Sequence, residues 1–143
     1  MKPDLKWMIG LTLTAVEKVD YTWAFKFNDK TGITTESPWR LSGPKGIVAT
    51  SEDHGHKFGL SIPVNAEQIL IKEVVGKAIE NVTVKEPTGD LILAVGPSFL
   101  EFLCLSMGYE SWHLTSTNLE LVCVGGGRIE QIEKNEKGQR TRR

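Results

Sequence analysis

Cysteine is scarce in this chain: there are two, Cys104 and Cys123. A lone pair is not a disulfide framework, and in a reducing compartment both are expected as thiols and small core side chains. Long apolar runs are missing as well. Nothing approaches the roughly 20 residues needed to cross a bilayer. The apolar stretch Met8 to Leu13 is broken by Gly10 and Thr12, which does not suit a secretory signal. The sequence therefore predicts a cytoplasmic protein with no membrane partner. There is no excess of either charge: 17 Lys and Arg stand against 18 Asp and Glu, for a net charge of -1. A neutral domain lacks the counterion-release term that drives nucleic-acid binding, so no nucleic-acid partner is expected. Catalytic signatures are absent too. There is no Cys-x-x-Cys, no His-Glu-x-x-His, no Gly-x-Ser-x-Gly elbow and no Gly-Lys-Ser/Thr phosphate loop.

What is present is strand. A chain of 143 residues, 40% of them hydrophobic, suits one domain with a core of its own. Tyr21, Trp23, Phe25 and Phe27 alternate with Thr22, Ala24 and Lys26, which is the period of a strand with one aromatic face. Asn28 to Gly32 reads as a turn. Ile33, Trp39 and Leu41 then share parity, and Pro38 predicts an edge or a bulge in that strand. Further strands are expected over about 47–50, 78–85, 90–95, 99–105, 111–115 and 119–124. Leu91 to Val95 is apolar on both parities and predicts a strand covered on both sides. One helix is signalled over residues 66–75. Asn65 is its N-cap, Gln68 completes a capping box, and Ala66, Ile69, Leu70 and Val74 form an apolar stripe. Gly76 closes it.

The predicted fold is α+β, mostly antiparallel β in two similar units with one central helix. Residues 1–127 form the single domain and 128–143 a charged tail. Ile129 and Ile132 are the only large apolar residues of that tail, so it is expected to be loosely held. The similarity of the units rests on short matches. Gly10-Leu11-Thr12-Leu13 resembles Gly76-Lys77-Ala78-Ile79, and Glu36-Ser37-Pro38-Trp39-Arg40-Leu41 resembles Glu110-Ser111-Trp112-His113-Leu114. Tags this short also arise by chance. Under either origin Trp39 and Trp112 are predicted core anchors, with Arg40 and His113 facing the other way.

Two segments could carry chemistry. Thr50-Ser51-Glu52-Asp53-His54-Gly55-His56 gathers two carboxylates, two imidazoles and two hydroxyls. His54 and His56 point the same way if the segment is extended, and with Asp53 they are the candidate ligands of a divalent metal. Glu52, Asp53, His54 and His56 could equally serve acid/base work or ligand binding, or form a solvated turn. Gly108-Tyr109-Glu110-Ser111-Trp112-His113 offers Tyr109, Glu110 and His113 as the wall of a pocket or interface. Arg40 completes the candidate set. Gly125-Gly126-Gly127 lacks a following capped helix, so it reads as a flexible strand exit and not a phosphate cradle.

Taken in order, Trp39-Arg40-Leu41, Thr50 to Gly55, Phe58-Gly59, Gly89-Asp90-Leu91 and Gly108 to Trp112 resemble an uncharacterised bacterial family of small proteins, over roughly Gly10 to Gly127. Such proteins are of the kind found on mobile gene cassettes or near toxin–immunity loci. The resemblance transfers no catalytic role. It implies that the acidic-histidine loop and the tyrosine segment act together. The resulting expectation is a non-enzymatic binding protein for a protein partner such as a toxin, or for a small ligand. The alternative is a small metal-assisted or acid/base enzyme using the 52–56 loop. A homodimer is expected through the edge near Pro38.

Overall fold

The computed structural model describes residues 2–134 and 140–142. After a short 3₁₀ turn, β1 (Leu13–Val19), β2 (Thr22–Phe27) and β3 (Gly32–Thr35) form an antiparallel meander. The chain crosses at Ser37-Pro38 to a second sheet and makes the hairpin of β4 (Trp39–Gly43) and β5 (Gly46–Thr50). A second 3₁₀ turn, an exposed loop and helix α1 (Ala66–Glu73) follow. Then β6 (Asn81–Lys85), β7 (Asp90–Val95) and β8 (Ser98–Phe102) form a meander in the second sheet. The chain recrosses, and β9 (Trp112–Thr115), β10 (Leu119–Val124), β11 (Arg128–Lys134) and β12 (Arg140–Arg142) extend the first. The strand orders are β1-β2-β3-β9-β10-β11-β12 and β5-β4-β8-β7-β6. The fold is thus α+β and mostly antiparallel, with one α-helix among the described residues.

Side-chain alternation explains how the sheets meet. Trp23, Phe25 and Phe27 are buried on one face of β2, while Tyr21, just before it, stays in solvent. Trp39 and Trp112 are both 0% exposed. Across the sheets Trp23 meets Trp39 at 5.0 Å and Phe25 meets Phe102 at 4.9 Å, both edge to face. That geometry sets the positive edge of one ring on the negative face of the other. Arg40 and His113 lie on the outward faces, as their parity predicts. On α1 the Gln68 amide donates to Asn65 Oδ1 at 3.0 Å, and Ala66 and Leu70 are buried. The helix closes two residues earlier than expected, with Gly76 in the left-handed region at φ +89.

The two halves share one topology. Each is a three-stranded meander followed by a hairpin that joins the other half's meander. β4 and β5 lie beside β8, and β9 and β10 lie beside β3. The openings matched in sequence pair with each other. Gly10 N–H donates to Ile79 O at 2.8 Å, and Gly76 N–H donates to Leu13 O at 2.7 Å. Leu13 N–H donates to Lys77 O and Ile79 N–H to Leu11 O. If residues 10–13 correspond to 76–79, every bond in this set is the reciprocal of another. An approximate twofold relation between the halves requires that pattern.

Three expectations are corrected. Pro38 marks neither an edge nor a bulge, because β4 is flanked by β5 and β8. The proline sits at the crossing between sheets, where no ladder hydrogen bond is lost. The open edge on that side of the sheet is β5, and the register shift falls between Leu41 and Ser42. β7 is covered fully on one face only: Leu91, Leu93 and Val95 are buried, while Ile92 and Ala94 are half-buried. The loose tail does not hold for residues 128–134. Arg128–Lys134 is β11, registered along all of β10, with Ile132 buried. Backbone pairing and one apolar side chain outweigh the polar composition there. Residues 135–139 and 143 of that tail lie outside the described residues.

Candidate functional site

Four of the six polar side chains of the acidic-histidine loop accept a hydrogen bond from a backbone amide. Thr50 Oγ1 accepts from the Asp53 amide and Asp53 Oδ2 accepts from the Thr50 amide, both at 3.2 Å, which is a reciprocal capping box. Ser51 Oγ accepts from the Trp39 amide at 3.0 Å. His54 Nδ1 accepts from the Ala66 amide at 3.0 Å, so it satisfies one of the open donors at the start of α1. The His54 ring also meets Trp23 edge to face at 5.3 Å. His56 stacks on Phe58, and its carbonyl accepts from the Val64 amide. The loop ties β4, β5, α1 and the inner face of β2 together.

This placement does not favour the metal reading of Asp53, His54 and His56. Among the described residues no three His, Cys, Asp or Glu side chains are grouped to hold a metal ion. The Nδ1 lone pair of His54 is already engaged by a backbone amide. Glu52 is exposed at the surface of the turn. His54→Ala is therefore expected to destabilise the fold by about 1 kcal/mol, the scale of a lost cap. Glu52→Ala should stay within about 0.5 kcal/mol of zero. Urea denaturation of both variants checks this, and equal effects would remove the capping role.

Arg40 is engaged as well. Its Nε and Nη2 both donate to Glu101 Oε2 on the neighbouring strand, the Nε bond at 3.0 Å. The two residues are in register across β4 and β8. At the corresponding place on the larger sheet, His113 is in register with Thr34 and not with a carboxylate. His113 Nε2 instead lies 3.1 Å from Glu110 Oε2. Two shallow grooves flank this pair, of about 290 Å³ toward Thr34 and Glu36, and about 250 Å³ toward Thr115 and Val122. Neither is lined by a residue of 50–56. The loop packs against inner-face Trp23, whereas Glu110 and His113 lie outside the sheet. The structure brings Glu110 and His113 together but does not bring the 52–56 loop to them.

The segment before Glu110 is unusual in what it exposes. Leu105, Met107 and Tyr109 are 68%, 93% and 82% exposed. Yet the backbone between them is pinned. Ser106 Oγ accepts from the amides of Gly108 and Tyr109 at 3.0 and 2.9 Å, and Ser106 O accepts from the Gly126 amide at 2.9 Å. Gly125 packs against this loop so closely that a Cβ there would lie 2.5 Å from Gly108 Cα. The glycine triplet is thus a packing node and not a flexible exit. At its other end Gly127 meets the carbonyls of Pro87 and Thr88.

Sequence reading missed Leu105, because it falls at the end of the expected strand 99–105, and Met107, because a single apolar residue between two strands carries no pattern. It also missed a cleft of about 560 Å³ between β6 and β11. Lys2, Lys85 and Arg128 line it with Glu86 and Glu130. These residues are far apart in sequence, and no local pattern announces them. Comparison with protein-family models, curated proteins and solved structures finds no match to this chain.

Proposed function

We propose that this is a non-enzymatic binding protein that recognises a protein partner through the Leu105–Glu110 loop and the grooves beside His113. One observation carries the reading: three large apolar side chains project into solvent from a loop whose backbone is fixed by Ser106, Gly125 and Gly126. Met and Tyr are enriched in protein interfaces. A loop already fixed loses little entropy on binding, so most of the gain from burying those side chains goes into affinity. Glu110 and His113 give the rim a polar, hydrogen-bonding edge. A toxin held by an immunity-type protein is one form of such a partner. A second copy could add separately along the open edge of β5, where Ile47 and Val48 are exposed.

The test is co-purification of the tagged chain with the products of neighbouring genes, followed by sizing of what is retained. One partner should be held in fixed stoichiometry. The double variant Met107→Ala with Tyr109→Ala should weaken it at least about tenfold, the scale of a lost hot spot, with the melting temperature unchanged. Full retention by the double variant, or no partner in any fraction, would count against the reading.

A further inference from the structure

Two thiols meet where the chain recrosses between the sheets. Cys104 follows β8, and its amide donates to Asp90 Oδ1 at 2.8 Å. Cys123, on β10 of the other sheet, is buried. It lies against Gly89, where a Cβ would stand 2.9 Å from Cys123 Sγ. Both cysteines therefore rest on one dipeptide, Gly89-Asp90. Continuing the β7–β8 register, in which Leu91 faces Phe102, sets Gly89 opposite Cys104, so the two cysteines are neighbours across that glycine. Both are free. The position matters because residues 105–110 form a loop whose two ends both lie at these cysteines. Cys104 is the residue before Leu105, and at the far end the Ser111 amide donates to Cys123 O at 2.9 Å.

We propose that Cys104 and Cys123 are a modification site: they close to a reversible disulfide between the sheets and so clamp the base of the Leu105–Glu110 loop. The oxidant is a small-molecule disulfide. The Cys104 thiolate attacks one of its sulfurs; that S–S bond breaks, and one small thiolate leaves. Cys123 then gives up its proton and attacks the Cys104 sulfur, which releases the second small thiol. The protein loses two hydrogens, and the small disulfide becomes two thiols. Access fixes the order, since Cys104 is half-buried and Cys123 is not reached by solvent. Burial, reinforced by the neighbouring Cys104 thiol, pushes the Cys123 thiol up to about 12. Its thiolate is therefore rare, and the second step is slow. The same asymmetry acts in reverse. A reductant reaches the Cys104 sulfur and must expel Cys123, a poor leaving group. The bond is slow to form and slow to open.

Formation of the disulfide does not depend on what the loop binds; its control over binding rests on the partner reading above. The experiment treats the full chain with oxidised glutathione, blocks remaining thiols with N-ethylmaleimide, and reads intact mass and amide exchange. The wild type should yield a species lighter by two hydrogens that takes no maleimide. Cys123→Ala should stop at a glutathione adduct on Cys104, and Cys104→Ser should form neither. Exchange across 105–110 should slow at least several-fold in the oxidised form. A persistent glutathione adduct on the wild type, or cross-linking only between molecules, overturns the site. A disulfide with unchanged exchange overturns the clamp. Should Cys123→Ala fail to fold, Cys104→Ser with the wild type carries the same comparison. Partner capture is read separately, so either failure leaves the partner reading to its own test.

Discussion

Trp39→Ala and Trp112→Ala are each expected to lower stability by about 3–5 kcal/mol, the usual cost of emptying a buried indole site. That is a large part of the roughly 5–15 kcal/mol margin of a domain this size. Both side chains are fully buried at corresponding places in the two halves. The phenylalanine variants separate them. Trp112 Nε1 donates to Gly89 O at 2.8 Å inside the protein. Trp112→Phe removes that donor and strands a buried carbonyl, which adds about 1–3 kcal/mol to the loss of volume. Trp39 Nε1 is buried with no hydrogen-bond partner among the described residues. Trp39→Phe deletes an unsatisfied donor, and the relief offsets part of the cavity. Urea denaturation should find Trp112→Phe the costlier change by at least about 1 kcal/mol. If Trp39→Phe is equal or worse, the hydrogen-bond difference does not govern these sites.

Gly127→Ala is expected to cost roughly 2–5 kcal/mol, and Gly126→Ala only about 1–2 kcal/mol. The two glycines have nearly the same backbone angle, φ +84 and φ +83. Both substitutions therefore carry the strain of a left-handed residue. They differ in space. A Cβ on Gly127 would lie 2.5 Å from Thr88 O and closer still to Pro87 O, and backbone on both sides leaves little room to yield. A Cβ on Gly126 would find its nearest neighbour at 3.9 Å. The pair thus isolates overpacking from backbone strain. Melting temperatures in one buffer measure it, and equal losses would show that the loops part easily.

The strands and the helix were legible because their signals are local. Period-two aromatics in β2 and the Asn65 cap required no knowledge of partners. Which sheet each strand joins was not legible. Ile33 and Trp39 share parity, yet they stand in different sheets, because the crossing at Pro38 depends on what each strand later finds to pair with. The tail misled for the same reason. Its composition is that of a loose segment, but β10 offers an open ladder, and six residues, 128–133, fill it. At the candidate site, residue types were a fair guide to where polar groups cluster and a poor guide to their use. Asp53 and His54 have the chemistry of a metal or acid/base site, but Asp53 Oδ2 and His54 Nδ1 each accept a backbone amide. Glu110 and His113 did meet, since only two residues separate them.

The exchange of hairpins between the halves has a consequence for how the chain can be divided. A backbone cut in the exposed stretch 57–63 would leave two pieces, and each would supply strands to both sheets. Neither piece could close a sheet alone, and together they would remain interlocked, as a dimer of half-length chains would be.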